Sequence, residues 1–307
     1  MPSADFPRLL PRRHAINELS ERVVDAKLGR QWQVVLPGVY ATDLRPLGDL
    51  ERCRAALLYA GSAAVLTDAW ALRLHGLQFV PEDSFIRVLV PNSVQRSSRQ
   101  FVVVRRAVHM PEPVVIADLR VAPVARALCD LALRNPDERG SLAVVAAAVQ
   151  RGRVTVDALT QEAARAAARG RPRLRRVLEA VGSGIRSAPE DDFRQIVRSS
   201  RILPEPLWNP LLRLPDGRQC SPDALFEDAG LVHETNGREF HAGADTFEDM
   251  QRRNDWLVAA GLTVLHNAPR RLRVEQTVVR SETERCYVRL RGSGLPPGVV
   301  LLRRGPE

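Results

Sequence analysis

The chain has 307 residues, of which 45% are hydrophobic and 26% are charged, and this composition excludes a wholly disordered polymer. At roughly 150 residues per domain, the length favours two domains, or two domains with a small third one. No apolar run reaches the ~18 residues that a membrane span needs, and the N-terminus has no apolar signal-peptide core. We therefore expect a cytoplasmic protein with no membrane partner.

The charge of the chain is strongly basic and is carried by arginine. The formal net charge is +9, which favours a polyanionic partner. Lys27 is the single lysine, so any mechanism that needs a lysine must use it. The phosphate-binding loop GxxxxGK[ST] is absent, which excludes the commonest class of nucleotide hydrolase. The four cysteines are widely scattered, which excludes a disulfide framework and a zinc ribbon.

Residues 9–45 predict two short helices followed by a hairpin. Ser20 is the expected N-cap of the second helix, which Gly29 ends, and Pro37-Gly38 is the expected turn between two strands. Helix, helix and two-stranded wing is the outline of a winged helix-turn-helix, although a small structural subdomain would have the same outline. In the DNA-binding interpretation, the second helix enters the major groove with Arg22 and Lys27 facing DNA.

Residues 49–133 predict a mixture of helices and strands. The expected helices span 50–59, 68–74 and 124–133, and the expected strands span 85–90 and 101–106. The segment 141–181 is alanine-rich and predicted helical, and Gly182-Ser183-Gly184 is the expected hinge before a second domain that begins near residue 185.

The stretch 151–186 carries nine arginines and three acidic residues. A charge run of this kind is either a solvated helical face or a contact surface for a phosphate backbone. The candidate DNA contacts in this stretch are Arg171, Arg173, Arg175 and Arg176.

The C-terminal region opens with a capping box, in which Ser187 and Glu190 satisfy each other's backbone groups. Glu190 therefore has a structural explanation beside a metal-binding one. Strands at 220–226 and 231–236 are joined by a four-residue loop. Closing that loop as a hairpin places Asp223 directly opposite Glu234, with Cβ atoms ~5 Å apart.

Two facing carboxylates repel each other unless a cation lies between them, so the pair predicts a shared Mg²⁺ or Mn²⁺. A solvent-facing acidic pair is the alternative. Strand alternation puts Asn236 on the face of Glu234 and turns His233 the other way. A helix over 247–258 follows, with Arg253 expected to lie off its apolar stripe, and then a strand over 262–266.

The order of helix, strand, strand, helix and strand, with Pro222-Asp223 on one strand and Glu234-x-Asn236 on the next, resembles the PD-(D/E)xK restriction-endonuclease-like superfamily. The runs HETNGREFH, FEDMQRRND and AAGLTVLHN resemble the very-short-patch-repair endonuclease-like domain of actinobacterial proteins. Residues 12–45 resemble the winged helix of AbiEi-type antitoxins, and the segment to about 180 resembles its companion domain.

The resemblance implies that Glu190, Asp223 and Glu234 are the acids of a nuclease site. The superfamily lysine is missing, because Asn236 occupies its position. The mismatch-repair branch uses a histidine near its acids, and His241 is the candidate for that role.

These observations predict three domains. They are a winged helix at 1–46, a mixed α/β companion domain with a basic helical linker at 47–185, and an α/β restriction-endonuclease-like domain at 186–307. The first functional hypothesis is a DNA-binding, metal-dependent nuclease acting on double-stranded DNA in defence or repair. The second is an antitoxin-type transcriptional regulator with an inactive nuclease-like domain and a cognate toxin as partner.

Overall fold

The computed structural model describes residues 7–78, 80–165, 171–235 and 245–303, and it is a mixed α+β protein. Within these ranges, no helix is long and apolar enough to cross a membrane. The chain divides into two compact units. Unit 1 comprises residues 1–144 and 151–175, and unit 2 comprises residues 145–150 and 176–307.

Unit 1 begins with a three-stranded antiparallel sheet packed on two helices. The elements are β1 (Leu9–Pro11), α1 (Arg12–Leu19), α2 (Glu21–Lys27), β2 (Gln33–Leu36) and β3 (Val39–Ala41), and the strand order is β1-β3-β2. Both predicted helices and the Pro37-Gly38 hairpin are present, whereas β1 was not expected. Ser20 is at the N-cap of α2, but its side chain makes no capping hydrogen bond. The small core of this module consists of Leu10, Ala15, Val24, Trp32 and Tyr40.

A five-stranded sheet with order β6-β5-β4-β8-β7 forms the rest of the unit 1 scaffold. The elements of this region are α3 (Asp49–Ala60), β4 (Val65–Thr67), α4 (Asp68–Leu74), β5 (Ile86–Pro91), β6 (Val102–Ala107), β7 (Val114–Ile116), β8 (Leu119–Val121) and α5 (Val124–Arg134). The helices predicted at 50–59, 68–74 and 124–133 and the strands predicted at 85–90 and 101–106 are all confirmed to within two residues. β5 and β6 run parallel, so the chain between them returns along the full length of β5.

The alanine-rich segment predicted to be helical contains three helices in its described residues. They are α6 (Glu138–Gln150), α7 (Val156–Ala164) and α8 (Arg171–Gly182). Thr155 separates α7 from α6, since its hydroxyl accepts a hydrogen bond from the Ala158 N–H and so begins a new helix. α6 and α8 both contain residues of unit 1 and of unit 2.

The described residues of unit 2 form two sheets and four further α-helices. The elements are α9 (Ala188–Arg198), β9 (Leu207–Trp208), β10 (Leu211–Arg213), β11 (Gln219–Cys220), β12 (Ala224–Phe226), β13 (Leu231–Thr235), α10 (Asp245–Ala259), β14 (Thr263–Asn267), α11 (Pro269–Val274), α12 (Gln276–Leu290) and β15 (Val300–Arg303). The larger sheet has the order β14-β13-β12-β9, and the smaller has the order β11-β10-β15. β13 and β14 are parallel and are connected through α10.

The predicted single strand at 220–226 is wrong, because it is two short strands in different sheets. β11 pairs with β10, whereas β12 pairs with β13 and β9. The break falls at Pro222, which has no N–H to continue a ladder of hydrogen bonds. The sequence patterns also did not anticipate α11, α12 or β15.

Candidate functional site

The site is built on the β12–β13 hairpin, whose predicted register is confirmed. Phe226 lies opposite Leu231, and Ala224 lies opposite His233. The turn between them is a short 3-10 helix that ends at Gly230, which adopts a left-handed conformation with φ of 53°. Asp223, the residue before β12, and Glu234 of β13 therefore flank the last registered pair.

Asp223 is held by one of its two carboxylate oxygens. The backbone N–H of Thr235 donates to Oδ2 at 2.7 Å, and the Thr235 hydroxyl donates to the same oxygen at 2.6 Å. Among the described residues, Oδ1 has no hydrogen-bond partner. One oxygen therefore fixes the orientation of the side chain.

Glu234 has the same division between its two oxygens, but it is almost completely buried at 1% exposure. Arg253 of α10 donates from Nη2 to Oε2 at 3.0 Å. Oε1 is buried and has no partner in the described part of the chain. Burial first, and then the neighbouring Asp223 carboxylate, raise the pKa of Glu234 to about 8. One arginine is thus insufficient to compensate the negative charge of this cluster.

Glu190 lies close enough to the pair to interact electrostatically, yet its own oxygens are satisfied. Ser187 donates to Oε1 at 2.8 Å, and the Arg186 N–H and the Asn209 amide donate to Oε2 at 2.9 and 2.7 Å. The Ser187 hydroxyl in turn accepts from the Glu190 N–H, which is one half of the predicted capping box. The other half differs, because the Glu190 carboxylate accepts from the backbone N–H of Arg186 and not from that of Ser187. Burial and the Asp223 carboxylate raise the pKa of Glu190.

Two residues near the carboxylates, Arg253 and His266, were not predicted as part of the site. The expectation that Arg253 lies off the buried stripe of its helix is wrong, because its guanidinium contacts Glu234. It lies one helical turn before the buried Leu257, and this spacing was the signal available in the sequence. Val258, which was expected on the apolar stripe, is instead 59% exposed.

His266 lies beside Glu234 on the parallel strand β14. Its Nδ1 is buried and has no partner within the described ranges. Burial lowers the pKa of His266, so the imidazole is predominantly neutral at pH 7. Its proximity to Glu234 depends on the parallel pairing of β13 and β14, which local sequence patterns do not reveal.

A buried polar chain lies on the opposite face of β13. His233 stacks on Phe193 of α9 with ring centroids 3.4 Å apart and planes inclined by 5°. Burial lowers the pKa of His233 to about 3, so the ring is neutral. Arg271 donates to Asn267 Oδ1 at 2.9 Å, which leaves the Asn267 amide nitrogen to donate to His233 Nε2 at 3.0 Å. This chain connects the ends of β13 and β14 to α11.

Asn236 and His241, the predicted substitute for the lysine and the predicted catalytic histidine, lie outside the described residues. Their roles stay predictions.

The predicted DNA contacts in unit 1 and in α8 are distributed over two helices. Arg22 is exposed on α2, whereas Lys27 donates to Gln31 at 3.0 Å and its ammonium lies 5.7 Å from the Trp32 ring centroid. Arg173 donates to the Asn135 carbonyl at 2.9 Å. Arg175 and Arg176 are exposed, and the side chain of Arg171 lies outside the described part of the structure.

The carboxylate pair can be tested for its fit to a divalent cation. In the described residues, no group of three or more His, Cys, Asp and Glu side chains is arranged to hold a metal ion. Asp223 Oδ1 and the orphaned Glu234 Oε1 nevertheless offer two oxygens of the type that Mg²⁺ prefers, and Mg²⁺ completes its coordination with waters and substrate oxygens. These two oxygens are of the chemical type that would hold a magnesium or manganese ion.

A comparison with models of known protein families finds none that matches the chain, and a comparison with curated proteins finds no match either.

Proposed function

We propose that the chain is a DNA-binding, Mg²⁺- or Mn²⁺-dependent nuclease that hydrolyses phosphodiester bonds of double-stranded DNA in the cytoplasm. The observation that carries the proposal is the pair Asp223 and Glu234, in which each carboxylate keeps one oxygen without a partner among the described residues. Buried acids without full compensation cluster at functional sites. The proposal includes a restriction-endonuclease-like fold for residues 186–307 and the resemblance to the very-short-patch-repair endonuclease-like domain.

In this proposal Asp223 and Glu234 hold the cation. When bound, the cation lowers the pKa of a coordinated water and neutralises charge on the phosphate. Thr235 orients Asp223, and Arg253 orients Glu234. Glu190 fixes the start of α9 behind the pair and contributes negative charge to the cluster.

The absence of the superfamily lysine is compatible with the residues that surround Glu234. Arg253 is the permanent positive charge of the cluster, but a guanidinium does not lose its proton and so does not serve as a general base. The proposed candidates for orienting or activating the attacking water therefore remain Asn236 and His241.

DNA binding by the proposed winged helix at 1–46 is supported by charge and exposure. Arg22 is exposed on α2, the helix that precedes the Pro37-Gly38 hairpin. The stretch 151–186 supplies six of the nine net positive charges of the chain. Arg173 is half-buried, whereas Arg175 and Arg176 are exposed, so we expect a smaller contribution from Arg173 than from the other two.

A second candidate is an antitoxin-type transcriptional regulator whose nuclease-like domain is inactive, with a cognate toxin as a further partner. The ion pair between Arg253 and Glu234 favours it, because the guanidinium occupies Oε2 and partly neutralises the site without a metal.

A nicking assay distinguishes the two candidates. Supercoiled plasmid is incubated with the full chain, with and without Mg²⁺ or Mn²⁺. We expect nicking by the wild type only with the metal, and none by Asp223→Asn, whose DNA affinity should be unchanged. The matched control is Asp216→Asn, which removes the same charge from the exposed turn between β10 and β11 and should nick normally.

Each outcome selects a different conclusion. DNA binding without nicking, on plasmid and on nicked or mismatched duplexes, favours the regulator. Equal nicking by Asp223→Asn and the wild type contradicts the carboxylate site. No binding to duplex DNA at low salt contradicts both candidates.

A further inference from the structure

Helix α11 and the carboxylate pair lie at the same end of the larger sheet, where the parallel strands β13 and β14 end. β13 and β14 are parallel, so their carboxyl ends meet at one edge, and Glu234 is paired with His266 near that edge. α11 begins at Pro269, two residues after the end of β14. The helix is therefore close to the site in space, although it is distant from Asp223 in sequence.

The orientation of α11 is fixed by buried contacts. Leu272 is fully buried beneath the helix. Arg271 donates to Asn267 at 2.9 Å and forms ion pairs with Glu275 and Glu282 at 2.9 and 3.0 Å. Because Asn267 in turn bonds to His233, the helix is connected to the strand that carries Glu234.

Two arginines of α11 remain on the solvent side. Arg270 and Arg273 are exposed and lie three residues apart, so they share one side of the helix, away from Leu272. Neither forms a hydrogen bond or ion pair with another residue in the described ranges. The helix contains no acidic residue, and the first acid after it, Glu275, is paired with Arg271.

The site next to these arginines needs additional positive charge if it is to bind a phosphodiester, which is an anion. Asp223, Glu234 and Glu190 form a negative cluster, and the nearby Arg253 is already bonded to Glu234. Guanidinium groups bind phosphate oxygens through paired hydrogen bonds. We propose that Arg270 and Arg273 bind the phosphate backbone of duplex DNA and hold it against the carboxylate pair. This inference rests on the proposed function and extends it to a defined substrate-binding surface.

The test measures the salt dependence of DNA binding by the full chain. Fluorescence anisotropy with a labelled ~20-bp duplex, without divalent metal, gives the Kd at a series of NaCl concentrations. In the double variant Arg270→Gln/Arg273→Gln, loss of two phosphate contacts should lower the slope of log K against log salt by ~1.8. Between 50 and 200 mM salt, the wild type should lose about tenfold more affinity than this variant.

The matched control variant removes the same amount of positive charge, but at the opposite end of the strands of the sheet. Arg285 and Arg289 are exposed on α12. They flank Tyr287, whose hydroxyl donates to Asp228 in the turn before β13. Arg285→Gln/Arg289→Gln should leave the slope nearly unchanged. Arg270→Lys/Arg273→Lys should recover most of the slope, and thermal melts show whether each variant is folded.

Failure of the inference is distinguishable from failure of the proposed function. If the wild type binds duplex DNA and both double Gln variants change the slope equally, the effect is one of general charge and the inference is wrong. If the α11 variant matches the wild type, the inference is also wrong while DNA binding stands. If the wild type does not bind duplex DNA, the proposed function fails and the inference fails with it.

Discussion

Both units bury acidic side chains, but Asp68 and Asp130 of unit 1 are compensated by arginines more fully than Glu234 of unit 2. Asp68 is 1% exposed, and Arg134 binds both of its oxygens, from Nε at 2.7 Å and from Nη2 at 2.9 Å. Asp130 accepts hydrogen bonds from Thr67 at 2.7 Å and from Arg126 at 3.0 Å. In unit 2, Glu234 is equally buried, yet it has one bond from Arg253 and one orphaned oxygen.

The difference distinguishes a buried charge that the fold itself compensates from one that the proposed function would use. Removing a carboxylate from water costs several kcal/mol, and well-directed partners must offset that cost. In unit 1, the bidentate pair of Asp68 and Arg134 connects the start of α4 to the end of α5. In unit 2 the cost is only partly offset, which is why the pKa of Glu234 rises to about 8. A bound cation would supply the missing compensation.

The largest expected effect on stability comes from breaking the compensated pair. Asp68→Asn keeps a residue that tolerates the φ of 63° at this position but removes the charge opposite Arg134. We expect a loss of about 3 kcal/mol in the free energy of unfolding, at the lower end for a buried pair because Arg134 retains contact with water. Urea unfolding measures this, and the exposed Asp216→Asn is the control. A change below that of the control contradicts the structural role of Asp68.

The second effect is stabilisation by metal. Mg²⁺ or Mn²⁺ at 100 times its Kd should raise the free energy of unfolding of unit 2 by about 2.7 kcal/mol, by mass action on the folded state. Scanning calorimetry with and without the metal measures this shift. Asp223→Asn should weaken the response, whereas Asp68→Asn should retain it. The absence of any shift in the wild type would be evidence against the shared-cation site.

The third effect has the opposite sign to the first. Without metal and above pH 8, where Glu234 is ionised, Asp223→Asn should be neutral or stabilising by up to about 1 kcal/mol, because it removes one charge from a repelling pair. An asparagine oxygen still accepts the bonds that Thr235 donates to Asp223. Urea unfolding in the presence of a chelator measures this. Destabilisation comparable to that of Asp68→Asn would remove the contrast between the two units.

The smallest effect concerns a half-buried, compensated acid. Arg8 and Arg45 lower the pKa of Asp43 to about 2, from an ordinary value of 3.8. The folded state is therefore favoured by the ionised carboxylate above pH 3.8, and this contribution is lost as the pH falls towards 2. Comparing acid-unfolding curves of the wild type and Asp43→Asn measures it. The variant should lack the wild type's loss of stability over this pH range.

The sequence alone was sufficient wherever the determining residues are neighbours along the chain. The N-cap at Ser187, the register of Phe226 with Leu231 and the helix at 68–74 are all confirmed. A cap needs residues three apart, and a hairpin register follows from the length of its loop. Asp223 and Glu234 could therefore be placed together without tertiary information.

The tertiary structure decided the properties that make this pair a candidate site. Arg253 reaches Glu234 across 19 positions of sequence, and His266 lies beside it only because β14 runs parallel to β13. The break at Pro222 assigns β11 and β12 to separate sheets, and Arg270 and Arg273 come to the site edge through the chain that joins His233, Asn267 and Arg271. Periodicity shows which face of an element is buried, but it does not show which distant element covers that face. The free energy of a buried charge depends on the partners that the covering element brings.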